Sequence, residues 1–203
     1  MVAAFIHGLV LALGLILPLG VQNLFVFQQG VVQPRFVSVL PAILAAALCD
    51  TLLILLSVSG AAAVLVHFAV LKNILMTAGI LFLFYMGYAN WHARSLAADA
   101  AVPVFSPRQQ IVFATSVSLL NPAAFLDIIG VIGTSSLQYE AQAKLMFTVA
   151  TILVSWLWFC GLGLLGGYLG SLQNVSDKLQ TVNKIASLFI WGTAFYLGMK
   201  FLV

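Results

Sequence analysis

Long apolar runs separated by short polar breaks restrict this chain more than any other feature. From Val2 to Leu17 almost every residue is apolar. A bilayer span needs about 20 such residues. The polar interruptions mark six candidates, near residues 3–27, 37–66, 70–91, 110–134, 143–170 and 180–202. Charge settles the class: 63% of the 203 residues are apolar and 6% are charged, against roughly 25% charged in a soluble domain. Five acids and eight bases could not keep that much apolar surface in water. In lipid every backbone N–H and C=O must be paired internally, which leaves helices or closed barrels. The runs lack the alternation of barrel strands, so an all-α integral membrane protein is expected.

The first run is expected to remain as a span. No Lys or Arg precedes it, only His7 lies within its start, and no small-x-small cleavage site follows. Connections are short except for "HARSLAADAAVPVFSPRQQ", which carries Arg94, Asp99 and Arg108 with two prolines. It divides the chain into a first three-helix repeat (1–91), a cytoplasmic linker (92–109) and a second three-helix repeat (110–203), all within one transporter domain (1–203). With three spans each, the halves enter the membrane in opposite orientations, as in inverted-repeat transporters. The first helix of each half also places a proline near an asparagine: Pro18 and Asn23 in "LPLGVQN", Asn121 and Pro122 in "LLNPAAFLD". Arg35, Arg94, Arg108, Lys178 and Lys184 fall on one face, and Lys72, Lys144 and Lys200 on the other. That bias makes the linker face cytoplasmic.

Two acids stand inside apolar runs, Asp50 in "AAALCDTLLILL" and Asp127 in "NPAAFLDIIGVIG". An acid at a helix centre costs about 2.5–3.5 kcal/mol on insertion scales, so each needs a partner or a task. No Lys or Arg lies within these runs, and Arg35 is about 22 Å of helix away from Asp50. Either each Asp is a hydrogen-bonded packing residue, or both line a wet cavity and meet a cation or a proton. The proline sites supply the rest of a binding surface. A proline frees backbone groups, and in a membrane these must be met by protein, water or ligand. A half-helix N-terminus presents N–H groups to a carboxylate, and exposed carbonyls face an ammonium. An amino-acid zwitterion matches both ends. A plain kink is the bland alternative at Pro18, but Gly20, Gln22, Asn23, Gln28 and Gln29 follow it and favour a break.

Other signals carry less. "GLGLLG" at Gly161–Gly166 follows no strand and is no dinucleotide motif. The spacings Gly163 to Gly167 and Gly166 to Gly170 suit a close helix–helix contact, within one chain or between chains, so a homo-oligomer is compatible with the sequence. His7, His67 and His92 lack metal-ligand spacing and lie near span ends, and Trp156, Trp158 and Trp191 lie deeper, against lipid or a cavity. No catalytic constellation, metal site or cofactor motif is present, so no enzyme and no cofactor are expected. The scattered charges form no basic patch, so nucleic acid is not expected as a partner.

The stretch "LPLGVQNLFVFQQG" resembles the first-helix signature of the LysE-type amino-acid exporters, in particular their lysine/arginine branch. Pro18, Gly20, Gln22, Asn23, Gln29 and Gly30 stand at the matching positions, while Val21 replaces a second proline. The acid ending "ALCD" carries over to Asp50, and "LLNPAAFLD" carries over to Asn121, Pro122 and Asp127. The resemblance implies export of amino acids, basic ones given Gln22, across the bacterial plasma (inner) membrane, with these residues binding substrate. Proton antiport through Asp50 and Asp127 is the coupling expected. Export of neutral amino acids or of another small solute such as a cation, and a non-transporting assembly subunit, stay open.

Overall fold

Helices account for every regular element among the described residues. The structure, a computed structural model, describes residues 1–17, 20–60, 69–92, 104–171 and 175–202. In chain order the helices are α1 (Val2–Ile16), α2 (Val21–Val32), α3 (Leu40–Val58), α4 (Ala69–Trp91), α5 (Pro107–Leu120), α6 (Pro122–Phe125), α7 (Ala141–Gly170) and α8 (Val175–Leu202). A single 3₁₀ turn, Phe36–Ser38, precedes α3. Beyond α6 the winding widens to π-helix over Leu126–Gly133 and closes with one α turn, Thr134–Ser136.

Among the described residues α3 and α7 are each long and apolar enough to cross a bilayer alone, and α1 with α2 make a third span if the bent pair is counted as one. Their axes differ by 79°. The described apolar stretches of α4 and α8 are shorter, Met76–Ala89 and Lys184–Met199. The end of the second expected run, most of the linker and His67 lie outside the described residues.

The α5 helix begins at Pro107, inside the stretch that the polar pattern assigns to the linker. Ser106 caps it: the hydroxyl accepts from the Gln109 N–H at 3.4 Å, and Gln109 Oε1 accepts from the Ser106 N–H at 2.9 Å. This reciprocal pairing and a proline in the first turn are strong start signals. Ser106→Ala is expected to cost about 1 kcal/mol, read as a small drop in thermal unfolding temperature in detergent. One residue further in, Gln110 is 1% exposed and fully engaged. Its Oε1 accepts from the Ala42 N–H at 3.2 Å, and its Nε2 donates to the Ser38 and Phe105 carbonyls at 2.9 and 3.0 Å. The start of α3 is thereby tied to the start of α5.

Close packing brings the other helices together. On α2, a Cβ added at Gly30 would lie 2.5 Å from the Gly163 carbonyl oxygen and 3.0 Å from Gly166 Cα on α7. Gly170 stands equally close to the Val31 backbone. The glycine spacing of the fifth run therefore makes a close crossing within the chain, through Gly163, Gly166 and Gly170. Further along α7, Gly8 of α1 meets Phe147 and Ala150. Helices α4 and α8 pair through Trp191, whose Nε1 donates to the Phe84 carbonyl at 3.2 Å and whose ring stacks on Trp91. Helix α3 packs on α5, α7 and the π segment, with Ile43, Ala46, Ala47, Phe25, Val26 and Phe159 in one core.

Candidate functional site

The break between α1 and α2 is held by a side chain. The last turn of any helix leaves carbonyls without intrahelical donors. Here the Asn23 side-chain amide donates to the Ile16 carbonyl at 2.8 Å, bridging the two helices. Gly20 is extended at the start of α2, and the first bond along the new helix runs from the Leu24 N–H to the Gly20 carbonyl at 3.0 Å. Val21 is the first residue of α2 and is buried. Proline is favoured at that position because its N–H has no intrahelical acceptor in any case. Valine at 21 is thus compatible with a helix start, and the break persists without the second proline.

Next to Asn23, Gln22 reaches α3. Its Nε2 donates to Asp50 Oδ1 at 3.1 Å, and Ser155 Oγ on α7 donates to Asp50 Oδ2 at 2.8 Å. Both carboxylate oxygens are engaged, and one acid joins α2, α3 and α7. A parallel link runs one residue on: Trp156 Nε1 donates to Thr51 Oγ1 at 3.0 Å.

A second break separates α5 from α6. Asn121 is extended, with φ −87° and ψ 103°. That conformation follows from Pro122, whose ring disfavours the α region at the residue before it. Downstream, Ser57 Oγ of α3 donates to the Ile128 carbonyl at 2.9 Å inside the π segment. π windings of this kind occur often at functional sites. Asp127 lies on this segment, half-buried, and among the described residues it makes no hydrogen bond or ion pair.

The two breaks face one cavity of about 240 Å³, well above the roughly 10–15 Å³ that holds one water. Gly20, Gln22, Asn23, Asp50, Asn121 and Asp127 all line it. Pro122 does not; it is buried against Gly79 of α4. Pro18 lies outside the described residues. Among the described residues lining the cavity, Asp50 and Asp127 are the only ionisable ones. The wall also contains Thr151 and Ser155 of α7, with Phe189 and Thr193 of α8. The sequence singles out none of these: an isolated hydroxyl in an apolar helix ordinarily bonds its own backbone, and Phe189 is one apolar residue among many in its run. None of Trp156, Trp158 and Trp191 lines the cavity. Among the described residues no group of three or more His, Cys, Asp or Glu side chains could hold a metal.

Apolar helices around a largely apolar cavity, with two acids and three side-chain amides in its wall beside two broken helices, suit a membrane translocator. Residues 13–200 match the family described as LysE type translocator, and the chain belongs to that family. It is 46% identical over 197 residues to YisU of Bacillus subtilis (strain 168), a proposed amino-acid transporter, covering 97% of this chain and 90% of that protein. It is 31% identical over 205 residues to the arginine exporter protein ArgO of Pectobacterium carotovorum subsp. carotovorum (strain PC1), covering 98% of each. Against ArgO of Escherichia coli O157:H7 the identity is 29% over 202 residues, covering 98% of this chain and 94% of that protein. No solved structure matches.

Proposed function

We propose that this translocator exports basic amino acids, arginine or lysine, from the bacterial cytoplasm in exchange for protons, and that the cavity between the two breaks is the substrate site. The observation that carries the reading is the lining itself: two carboxylates, three side-chain amides and the start of α2, with no cationic side chain among the described lining residues. Such a surface suits a cation. The amides of Asn23 and Asn121 and the N–H groups at the start of α2 suit the substrate carboxylate. The names of the ArgO relatives support a basic substrate, and that of YisU supports an amino acid.

Energetics favour exchange over simple release. Moving one positive charge outward against a potential of 100 mV, positive outside, costs about 2.3 kcal/mol. An inward proton cancels that charge movement, and a carboxylate that holds either proton or substrate couples the two. In this reading the six apolar runs form two inverted three-helix repeats, 1–91 and 110–203, joined by a cytoplasmic linker. The breaks between Ile16 and Val21 and at Asn121 fall in the first helix of each half, which supports that arrangement.

Equilibrium binding by the purified protein to arginine, lysine, citrulline, threonine and glutamate tests the substrate class. Arginine and lysine are expected to bind about tenfold tighter than citrulline, the scale of one charge-assisted hydrogen bond. Equal binding of citrulline, or no binding of any amino acid, would remove basic amino acids from the cavity.

A further inference from the structure

The two cavity carboxylates stand in different chemical situations. Asp50 is 9% exposed and both its oxygens accept hydrogen bonds, from Gln22 on α2 and Ser155 on α7. The donors come from different helices, so Asp50 closes a three-helix junction beside the first break. Asp127 is half-buried, lines the same cavity and has no partner among the described residues. It is carried on the π-wound segment, where the wider helix is fixed from outside by the Ser57 hydroxyl. Two of the roughly four acceptor sites on Asp50 are already taken, so a cation approaching this carboxylate competes with bonds in place. An unoccupied one facing a cavity gives up only water.

We infer that the two acids divide the work: Asp127 takes the cationic group of the substrate, or the proton that replaces it, while Asp50 is a positioning residue that fixes α2 and α7 on α3. This rests on the substrate reading above for the identity of the cation, but the division itself is a property of the cavity. Ser155 acts through Asp50. It holds one oxygen and keeps the carboxylate turned to the α2–α3–α7 junction.

Reaction of the purified protein with dicyclohexylcarbodiimide, followed by peptide mass mapping, reads the difference without any substrate. The reagent adds to a protonated, accessible carboxyl in an apolar setting. The adduct is expected at Asp127, in about tenfold excess over Asp50, whose two hydrogen bonds resist it. Adduct at Asp127 no more abundant than at Asp50, including none at either, would overturn the inference. Ser155→Ala frees one oxygen of Asp50 and is expected to raise labelling there severalfold while Asp127 is unchanged. Unaltered labelling of Asp50 in that variant would show that Ser155 does not position it, and would overturn the anchoring role. Added arginine is expected to protect Asp127, and citrulline is not. Preferential labelling of Asp127 without protection by arginine would leave the division standing and reject arginine as the occupant.

Discussion

Gly30→Ala is expected to lower the stability of the protein by about 1–3 kcal/mol, the range for forcing one extra group into a packed core. The new methyl would lie 2.5 Å from the Gly163 carbonyl oxygen and 3.0 Å from Gly166 Cα. Both are backbone atoms, so no side chain can turn aside and the helices must separate. Gly161→Ala on α7 is the control, because nothing lies within 4 Å of a Cβ there. In an open helix position alanine is favoured over glycine by roughly 0.5–1 kcal/mol, so the same substitution should be neutral or stabilising. Thermal unfolding in detergent compares the two. Gly30 also stands about 12 Å along α2 from Gln22. A displaced crossing therefore tilts the end of α2 that carries Gln22 and Asn23, and transport should fall with stability. Equal melting temperatures for the two variants would show that the α2–α7 crossing is loose enough to admit a methyl group.

Asn23→Asp is expected to damage transport with a near-isosteric change. The Asn23 amide donates to the Ile16 carbonyl at 2.8 Å. An ionised carboxylate has no proton to donate, so the carbonyl loses its partner and faces a second acceptor. Leaving a buried acceptor unmet costs about 1–3 kcal/mol, and the tie across the bend is lost. Transport is expected to drop about tenfold or more, with a modest fall in unfolding temperature. Asn23→Gln keeps a donor on a longer arm and should recover part of the rate. If Asn23→Asp transported as well as the parent protein, the bridge would have no part in holding the site.

Much of this site was legible in the sequence because membranes punish polar groups. Asp50 and Asp127 stand out for that reason, and so do Gln22 and Asn23 after a proline. The helices α3 and α7 follow from apolar length alone. What did not show was which group answers which. Ser155 lies 105 residues from Asp50, and its hydroxyl looks like any other in an apolar helix until the fold brings it there. The 79° bend is tied by Asn23 on the Ile16 carbonyl, and the π winding around Asp127 packs on α3, where Ser57 bonds the Ile128 carbonyl, so local propensity alone does not encode either geometry. Gln110 is similar. From sequence it merely opens an apolar run, yet it bonds the backbones of Ala42, Ser38 and Phe105. Pro122 was expected at the cavity wall beside Asn121. The structure turns it the other way, onto Gly79, because the ring occupies the gap that the missing glycine side chain leaves on α4.

In the proposed cycle this cavity exchanges a basic amino acid for protons. Efflux of labelled arginine from proteoliposomes holding the purified protein tests it most directly, with the exterior either acidified or matched to the interior. Faster efflux is expected under the inward proton gradient, with the lumen acidifying in step with arginine release. Equal efflux with and without the gradient, or no arginine movement in either case, would contradict it.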